Sequence, residues 1–471
     1  MTLSHRLVVW LAALLAGAAL AQIPPEVDAA LARAKLPREA VALLVADAEG
    51  QAPPRLSHRA QAPMNPASLM KLVTTYVALE QLGPGFAWRT PVYLEGAVRD
   101  GTLHGNLYVK GQGDPKLVVE RLWLLLRRVQ GLGVQAIAGD IVLDRSAFEV
   151  PPQDAASFDG EPLRPYNAAP DALMVNFKSL LISFVPEPGT QRARVLVDPP
   201  LAGVQLPASV PLSGGDCNDY RSALKADFSD PVRIRFAGSY PAACGERAWP
   251  VAYADPGSYA RRVVQALWQD MGGQLGGQVR EGRVPAGLKP AFEFGSPPLA
   301  ELVRDINKFS NNVMAQQLFL TLSLQQQLAQ NGGMNAVGTP EASRELVRAW
   351  WKERFGEQDI PTLDNGTGLS RHERISAQAL ARLLQAAWRS PLMPELSASL
   401  PMAGVDGTLR RARGAAAHLK TGSLRDVAGV AGYVHAASGQ RYVLVAIANH
   451  ANAQAARPAF EALLDWTLKD Q

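Results

Sequence analysis

The stretch Asn65-Pro66-Ala67-Ser68-Leu69-Met70-Lys71-Leu72 decides how the rest of this chain is read. A proline and a small residue lead into LMKLVTTYVALEQLG, whose apolar residues recur at helical intervals. Pro66 suits a helix start, where its missing N–H costs little. On a helix, positions i and i+3 share a face, so the Lys71 amine can reach the Ser68 hydroxyl. Ser68 can equally be a helix-start hydroxyl with no chemistry. The same spacing returns at Ser222 and Lys225. Spacing alone does not separate the two readings.

Two further short motifs do. Ser310-Asn311-Asn312 falls between helical stretches, and Lys420-Thr421-Gly422 lies in HLKTGSL, a strand-like segment just before a predicted strand pair. Composition alone supplies about one match to each of the first two motifs in a chain this long, whereas the Lys-Thr-Gly triplet is rarer. All three, in this order and in these contexts, point to an acyl-transfer site. Serine is a poor nucleophile until a base takes its proton. A lysine serves as that base only if burial or a second cation lowers its pKa, and Lys420 is the cation available. Ser310 would bridge the two lysines and pass a proton to the leaving amine. Asn312 would hold the substrate backbone, Lys420 and Thr421 a substrate carboxylate. Gly422 would let the substrate lie along the strand edge. Read singly, Ser310 and Asn312 are loop caps and Lys420 a solvated strand residue. Ser222 and Lys225 lack the preceding Pro-Ala and the long apolar helix, and read as coincidence.

Length and composition set the frame. A chain of 471 residues exceeds one compact core, so two or three domains are expected. At 47% hydrophobic and 19% charged it is globular rather than disordered. A net charge of +4 with no basic stripe argues against nucleic acid as a partner. The start, MTLSHR, then the apolar run Leu7–Ala21 ending Ala-Leu-Ala before Gln22, reads as a signal peptide over residues 1–21. An uncleaved anchor is the competing reading, but the run is short for a bilayer. The mature chain is therefore expected to be exported, periplasmic or beyond, without a transmembrane anchor. The only two cysteines, Cys217 and Cys244, are expected to form a disulfide there. Seven scattered histidines offer no metal-ligand spacing. No metal or organic cofactor is expected.

Texture changes along the chain. Ala40–Ala48 reads as a buried strand; from about Thr90 the pattern becomes short β-like pieces, and Val175–Trp249 looks all-β. Helical patterns return at Ser258–Met271 and from Pro298, and a terminal helix starts near Pro458. The reading is α/β ends flanking a largely β middle.

At these residues the chain resembles the class C low-molecular-mass penicillin-binding proteins, D-alanyl-D-alanine carboxypeptidases that also act as endopeptidases. PMNPASLMKLVTTYVALEQLG, KGQGDPKL, GDIVLDRSAF, YNAAPDALMVN, INKFSNNVMAQQL, LDNGTGLSRHERIS, LPMAGVDGTLRRAR and HLKTGSL all look like segments of that family. The resemblance covers nearly the whole mature chain. It implies an α/β (α+β) serine transpeptidase/β-lactamase-like domain, residues 22–90 and 293–471. Two mainly β domains are inserted between the first and second motifs: domain II at 91–172 and 253–292, domain III at 173–252.

It also implies the site. Ser68 resembles the acylated nucleophile, Lys71 its base and Ser310 the second-motif serine, with Asn312, Lys420, Thr421, Gly422 and Ser423 on the substrate. The backbone N–H groups of Ser68 and Ser423 would form the oxyanion hole. Asp144 and Arg371 match a pocket for the free end of a diaminopimelate side chain, though a turn aspartate and a surface ion pair are their plainer readings. Some relatives carry an uncharged polar residue where this chain has Arg425. The expected substrates are peptidoglycan stem peptides, and the expected inhibitors β-lactams. A serine β-lactamase shares two of the motifs; its second motif begins with tyrosine, and it lacks the large insert. A non-catalytic wall-binding protein on the same fold is the other alternative.

Overall fold

The structure is a computed structural model that describes residues 22–331, 336–413 and 416–470. The expected signal peptide at 1–21 lies outside them. Among the described residues no helix is long and apolar enough to cross a membrane. The chain divides into two compact units. One comprises Met1–Glu80, Val303–Ser310 and Val347–Gln471; the other comprises Gln81–Leu302 and Asn311–Leu346.

The first unit is built on a five-stranded antiparallel sheet. In chain order the strands are β1 (Val41–Asp47), β2 (Leu56–His58), β3 (Ala417–Leu424), β4 (Val427–His435) and β5 (Arg441–Asn449). Their order across the sheet is β3-β4-β5-β1-β2, so β3 is an edge. The expected strand at Ala40–Ala48 is β1, buried from Val41 to Ala46 on both faces. Such a strand reads as one continuous apolar run. Val41, Leu43 and Val45 join Leu419, Val434 and Leu444 in a core under two helices, α1 (Pro25–Arg33) and a C-terminal helix (Arg457–Lys469). The helices supply Val27 and Leu31, and Phe460 and Leu463, at spacings that make one apolar stripe on each. The opposite face of the sheet packs on Ala377–Trp388, where Tyr433 donates its hydroxyl to Leu384 O at 2.7 Å.

The second unit carries two five-stranded sheets. One runs Val279–Glu281, Ile141–Asp144, Leu107–Lys110, Arg89–Leu94, Phe292–Gly295; the other runs Tyr240–Pro241, Ser209–Ser213, Arg192–Asp198, Ser179–Glu187, Arg247–Ala252. Cys217 and Cys244 form a disulfide beside the second sheet. The β-like reading from Thr90 misses the short helix Tyr220–Leu224 and the longer one Val119–Gly131, whose Leu122, Leu125, Leu126 and Val129 are buried. Those positions are i, i+3, i+4 and i+7, a helical stripe facing the core. The Ser258–Met271 pattern is the helix Pro256–Asp270.

Candidate active site

Ser68 sits in a 3-10 turn, Ala67–Met70, that runs into the α-helix Lys71–Leu82. In a 3-10 turn side chains at i and i+3 eclipse, so Ser68 and Lys71 are aligned more closely than an α-helical start would align them. The turn is held from its own sequence. Asn65 Oδ1 accepts the Ala67 N–H at 2.9 Å, and Asn65 exchanges bonds with Asn449 at the end of β5, at 2.7 and 3.0 Å. Ala67 adopts a left-handed φ of 47°, a conformation a non-glycine residue holds only when its surroundings impose it.

Lys71 and Lys420 are both at 0% exposure. Lys71 Nζ lies 3.1 Å from Ser68 Oγ and donates to Thr367 O at 2.6 Å. Lys420 Nζ donates to Ser310 Oγ and to Thr421 O, each at 2.9 Å. Burial removes water from both ammonium groups, and that disfavours their charged forms. Burial first, and then the Lys420 charge, push the Lys71 pKa well below the usual lysine value; the Glu373 charge pulls the other way. Burial pushes Lys420 down to about 7. An amine whose charged form burial disfavours, 3.1 Å from a hydroxyl, is placed to accept its proton.

Ser310 follows the helix Leu299–Phe309 with φ at 56°, again left-handed. Asn307 of that helix, fully buried, donates to Thr75 Oγ1 at 3.3 Å and to Ser399 Oγ at 2.9 Å, which ties the Ser310 helix to the Lys71 helix. Strand β3 brings Lys420, Thr421, Gly422 and Ser423 together on the sheet edge. A Cβ at Gly422 would come within 2.5 Å of Pro66 O, so only glycine lets β3 pass the Ser68 turn. Pro401 O accepts the Leu419 N–H and Ala403 N–H donates to Ala417 O, covering the first half of that edge; Thr421 is half-buried and Ser423 exposed beyond it.

The other expected residues stand as follows. Asn312, buried, opens the helix Asn312–Gln330 in the second unit, with Asn311 as its N-cap through Met314 N–H at 3.0 Å. Asp144, also in the second unit, is buried and accepts backbone N–H from Ser146 and Val284, both at 2.9 Å. A carboxylate has room for more than these two bonds. Arg371 pairs with Asp426 at 2.9 Å on the turn between β3 and β4, both side chains largely exposed. The twin motif is different in kind. Asp219 caps the short helix Tyr220–Leu224, accepting from the Ser222 N–H and from its hydroxyl, and Lys225 turns away in a left-handed conformation; Ser222 and Lys225 are both exposed.

One residue of the site escapes the motif reading. Glu373, fully buried, accepts backbone N–H from Asp364, Asn365 and Gly366 on Oε1 and from Gly368 on Oε2, at 2.7–3.1 Å. These bonds fold the 364–368 loop so that Thr367 O meets Lys71. Gly368 has φ at 81°, and a Cβ there would lie 1.8 Å from Ala67 O, so the loop seats directly on the Ser68 turn. Glu373→Gln turns an N–H acceptor into a donor facing Gly368 N–H. We expect a loss of about 1–3 kcal/mol in urea denaturation. Because the Glu373 charge raises the Lys71 pKa, its removal should also move the acid limb of penicillin acylation to lower pH. An unmoved limb would deny Glu373 any electrostatic part.

Residues 24–469 match the model of the D-Ala-D-Ala carboxypeptidase 3 (S13) family. The chain belongs to this family. It is a serine D-Ala-D-Ala carboxypeptidase, a penicillin-binding DD-peptidase. It is 30% identical over 406 residues to a D-alanyl-D-alanine carboxypeptidase of an Actinomadura species, covering 80% of this chain and 71% of that one. It is 24% identical over 390 residues to the D-alanyl-D-alanine carboxypeptidase DacB of Haemophilus influenzae, covering 81% and 80%. Among solved structures, penicillin binding protein 4 (dacB) from Haemophilus influenzae superposes with a TM-score of 0.75 at 23% identity, over 94% of this chain and 99% of that one. The fold is thus an α/β transpeptidase-like domain with additional β-rich domains.

Proposed function

We propose that this peptidase acts through an acyl-enzyme on Ser68, trimming D-Ala-D-Ala termini and cutting D-Ala–diaminopimelate cross-links of peptidoglycan in an exported compartment. The observation that carries the reading is the buried, pKa-lowered Lys71 amine 3.1 Å from Ser68 Oγ. Ser68 Oγ attacks the D-Ala carbonyl as its proton passes to Lys71. The amide C–N bond then breaks. The leaving amine takes a proton relayed by Ser310, which Lys420 holds in place. Water hydrolyses the Ser68 ester, which frees a carboxylic acid and restores the hydroxyl. The N–H groups of Ser68 and Ser423 are assigned the oxyanion, Lys420 and Thr421 the carboxylate of the leaving residue, and Asn312 the substrate backbone. Asp144 and Arg371 are assigned the free end of the diaminopimelate side chain, and Arg371 also pairs with Asp426 at 2.9 Å.

Products of two purified substrates test this reading by mass spectrometry. A diaminopimelate-containing pentapeptide should lose D-Ala, and a cross-linked dimer should give monomers. Neither product from either substrate would refute it.

A further inference from the structure

Behind the open half of β3 the first unit contains a cavity of about 640 Å³. It begins at Thr421 and Phe309, on either side of the catalytic strand edge and the Ser310 helix, and runs back to the C-terminal helix at Phe460 and Leu464. Its floor is apolar; its rim is basic, with Arg410, Arg411, Arg413 and Arg457 all lining it. Arg457 is engaged, donating to Glu461 at 2.9 Å. Arg410, Arg411 and Arg413 are exposed and have no carboxylate partner among the described residues. The loop that bears them is anchored at its base: Lys308 pairs with Asp406 at 2.6 Å, and Asp406 also accepts the Met402 N–H at 2.8 Å. At its tip Thr408 and Thr421 share a hydroxyl bond of 2.7 Å, which joins the loop to the catalytic strand.

Resting on the function proposed above, Thr421 is where the carboxylate of the leaving residue sits. A free D-Ala ends there. The cavity beyond it is of the size that holds a drug-sized ligand, about 300–1,000 Å³, far more than one alanine needs. A leaving group that continues past Thr421 is the second stem peptide of a cross-link. It is a peptide with several carboxylates, and guanidinium groups grip carboxylates by paired hydrogen bonds. We infer that this arginine-rimmed cavity is the binding site for the departing stem peptide of a cross-linked dimer, and that it serves cross-link cleavage but not trimming of a terminal D-Ala. The apolar floor takes the aliphatic parts of that peptide, and the three unpaired arginines take its carboxylates.

The test is a triple variant, Arg410→Glu/Arg411→Glu/Arg413→Glu, assayed against wild type on a diaminopimelate pentapeptide and on a purified dimer cross-linked through D-Ala. Benzylpenicillin acylation, which needs no departing peptide, reports that the variant is folded. Losing three charge-assisted contacts and gaining repulsion should lower kcat/KM on the dimer by about 10-fold or more, while D-Ala release and acylation stay within about 2-fold. Equal losses on both substrates, or an unchanged rate on the dimer, would overturn the inference. A wild-type chain that releases D-Ala but leaves the dimer intact would overturn the inference and the cross-link half of the proposed function, and would leave the Ser68 acyl-enzyme and D-Ala trimming standing. A wild-type chain inert on both would remove the functional reading beneath it.

Discussion

Ser68→Ala is expected to lower D-Ala release by on the order of 10⁶-fold, the scale seen when a serine hydrolase loses its nucleophile. Thermal stability should stay close to that of wild type. Ser68 Oγ is only part-buried, and what it loses is one bond to Lys71. The loss belongs to the chemistry, because the Ser68 hydroxyl is the one that meets the Lys71 amine at a helix start, and the other candidate serines are placed differently. Ser310 bonds Lys420 and follows a helix rather than opening one. Ser222 bonds an aspartate at the surface. Residual activity within about 100-fold of wild type would mean that Ser68 is a cap and that acylation occurs elsewhere.

Lys71→Met is expected to slow acylation by about 10²–10⁴-fold, the usual worth of a positioned general base. It should also erase one limb of the pH profile. In wild type the reaction needs Lys71 neutral, so kcat/KM rises with pH through its lowered pKa. It needs Lys420 charged for the substrate carboxylate, so kcat/KM falls as pH passes upward through about 7. Lys71→Met loses the rising limb and keeps the falling one. The same shifts govern stability. Between about 7 and the ordinary lysine value of 10.5, the unfolded chain binds a proton at Lys420 that the folded chain does not. Wild type should therefore gain stability as pH rises through that window, by at most about 1.4 kcal/mol per pH unit from this group. A rising limb that survives in Lys71→Met would assign the base to another residue.

Side-chain chemistry was legible in the chain; backbone chemistry was not. Ser68, Lys71, Ser310 and Lys420 could be placed because each motif confines its side chains to one local geometry, and the structure draws these four into one unit. The Thr367 carbonyl that holds Lys71 has no residue signature, since any residue supplies a carbonyl. Its signal was indirect: a buried glutamate, Glu373, close after a glycine-rich loop in LDNGTGLSRHERIS. Asp426 was invisible for another reason. Its place beside Arg371 depends on the turn between β3 and β4 meeting a loop 55 residues earlier in the chain. The β-rich middle was readable from alternation and turns. The helix Val119–Gly131 inside it was not, although its buried leucines hold a clear helical period. Short flanking strands drew that reading toward β.

The central claim is that Ser68 is the atom acylated, with Lys71 as its base. Intact-protein mass spectrometry of the chain treated with benzylpenicillin, followed by peptide mapping, tests it most directly. The account predicts one penicilloyl adduct per chain, on the peptide carrying NPASLMKL at Ser68, absent in Ser68→Ala. No adduct, or an adduct on Ser222 or Ser310, would contradict it.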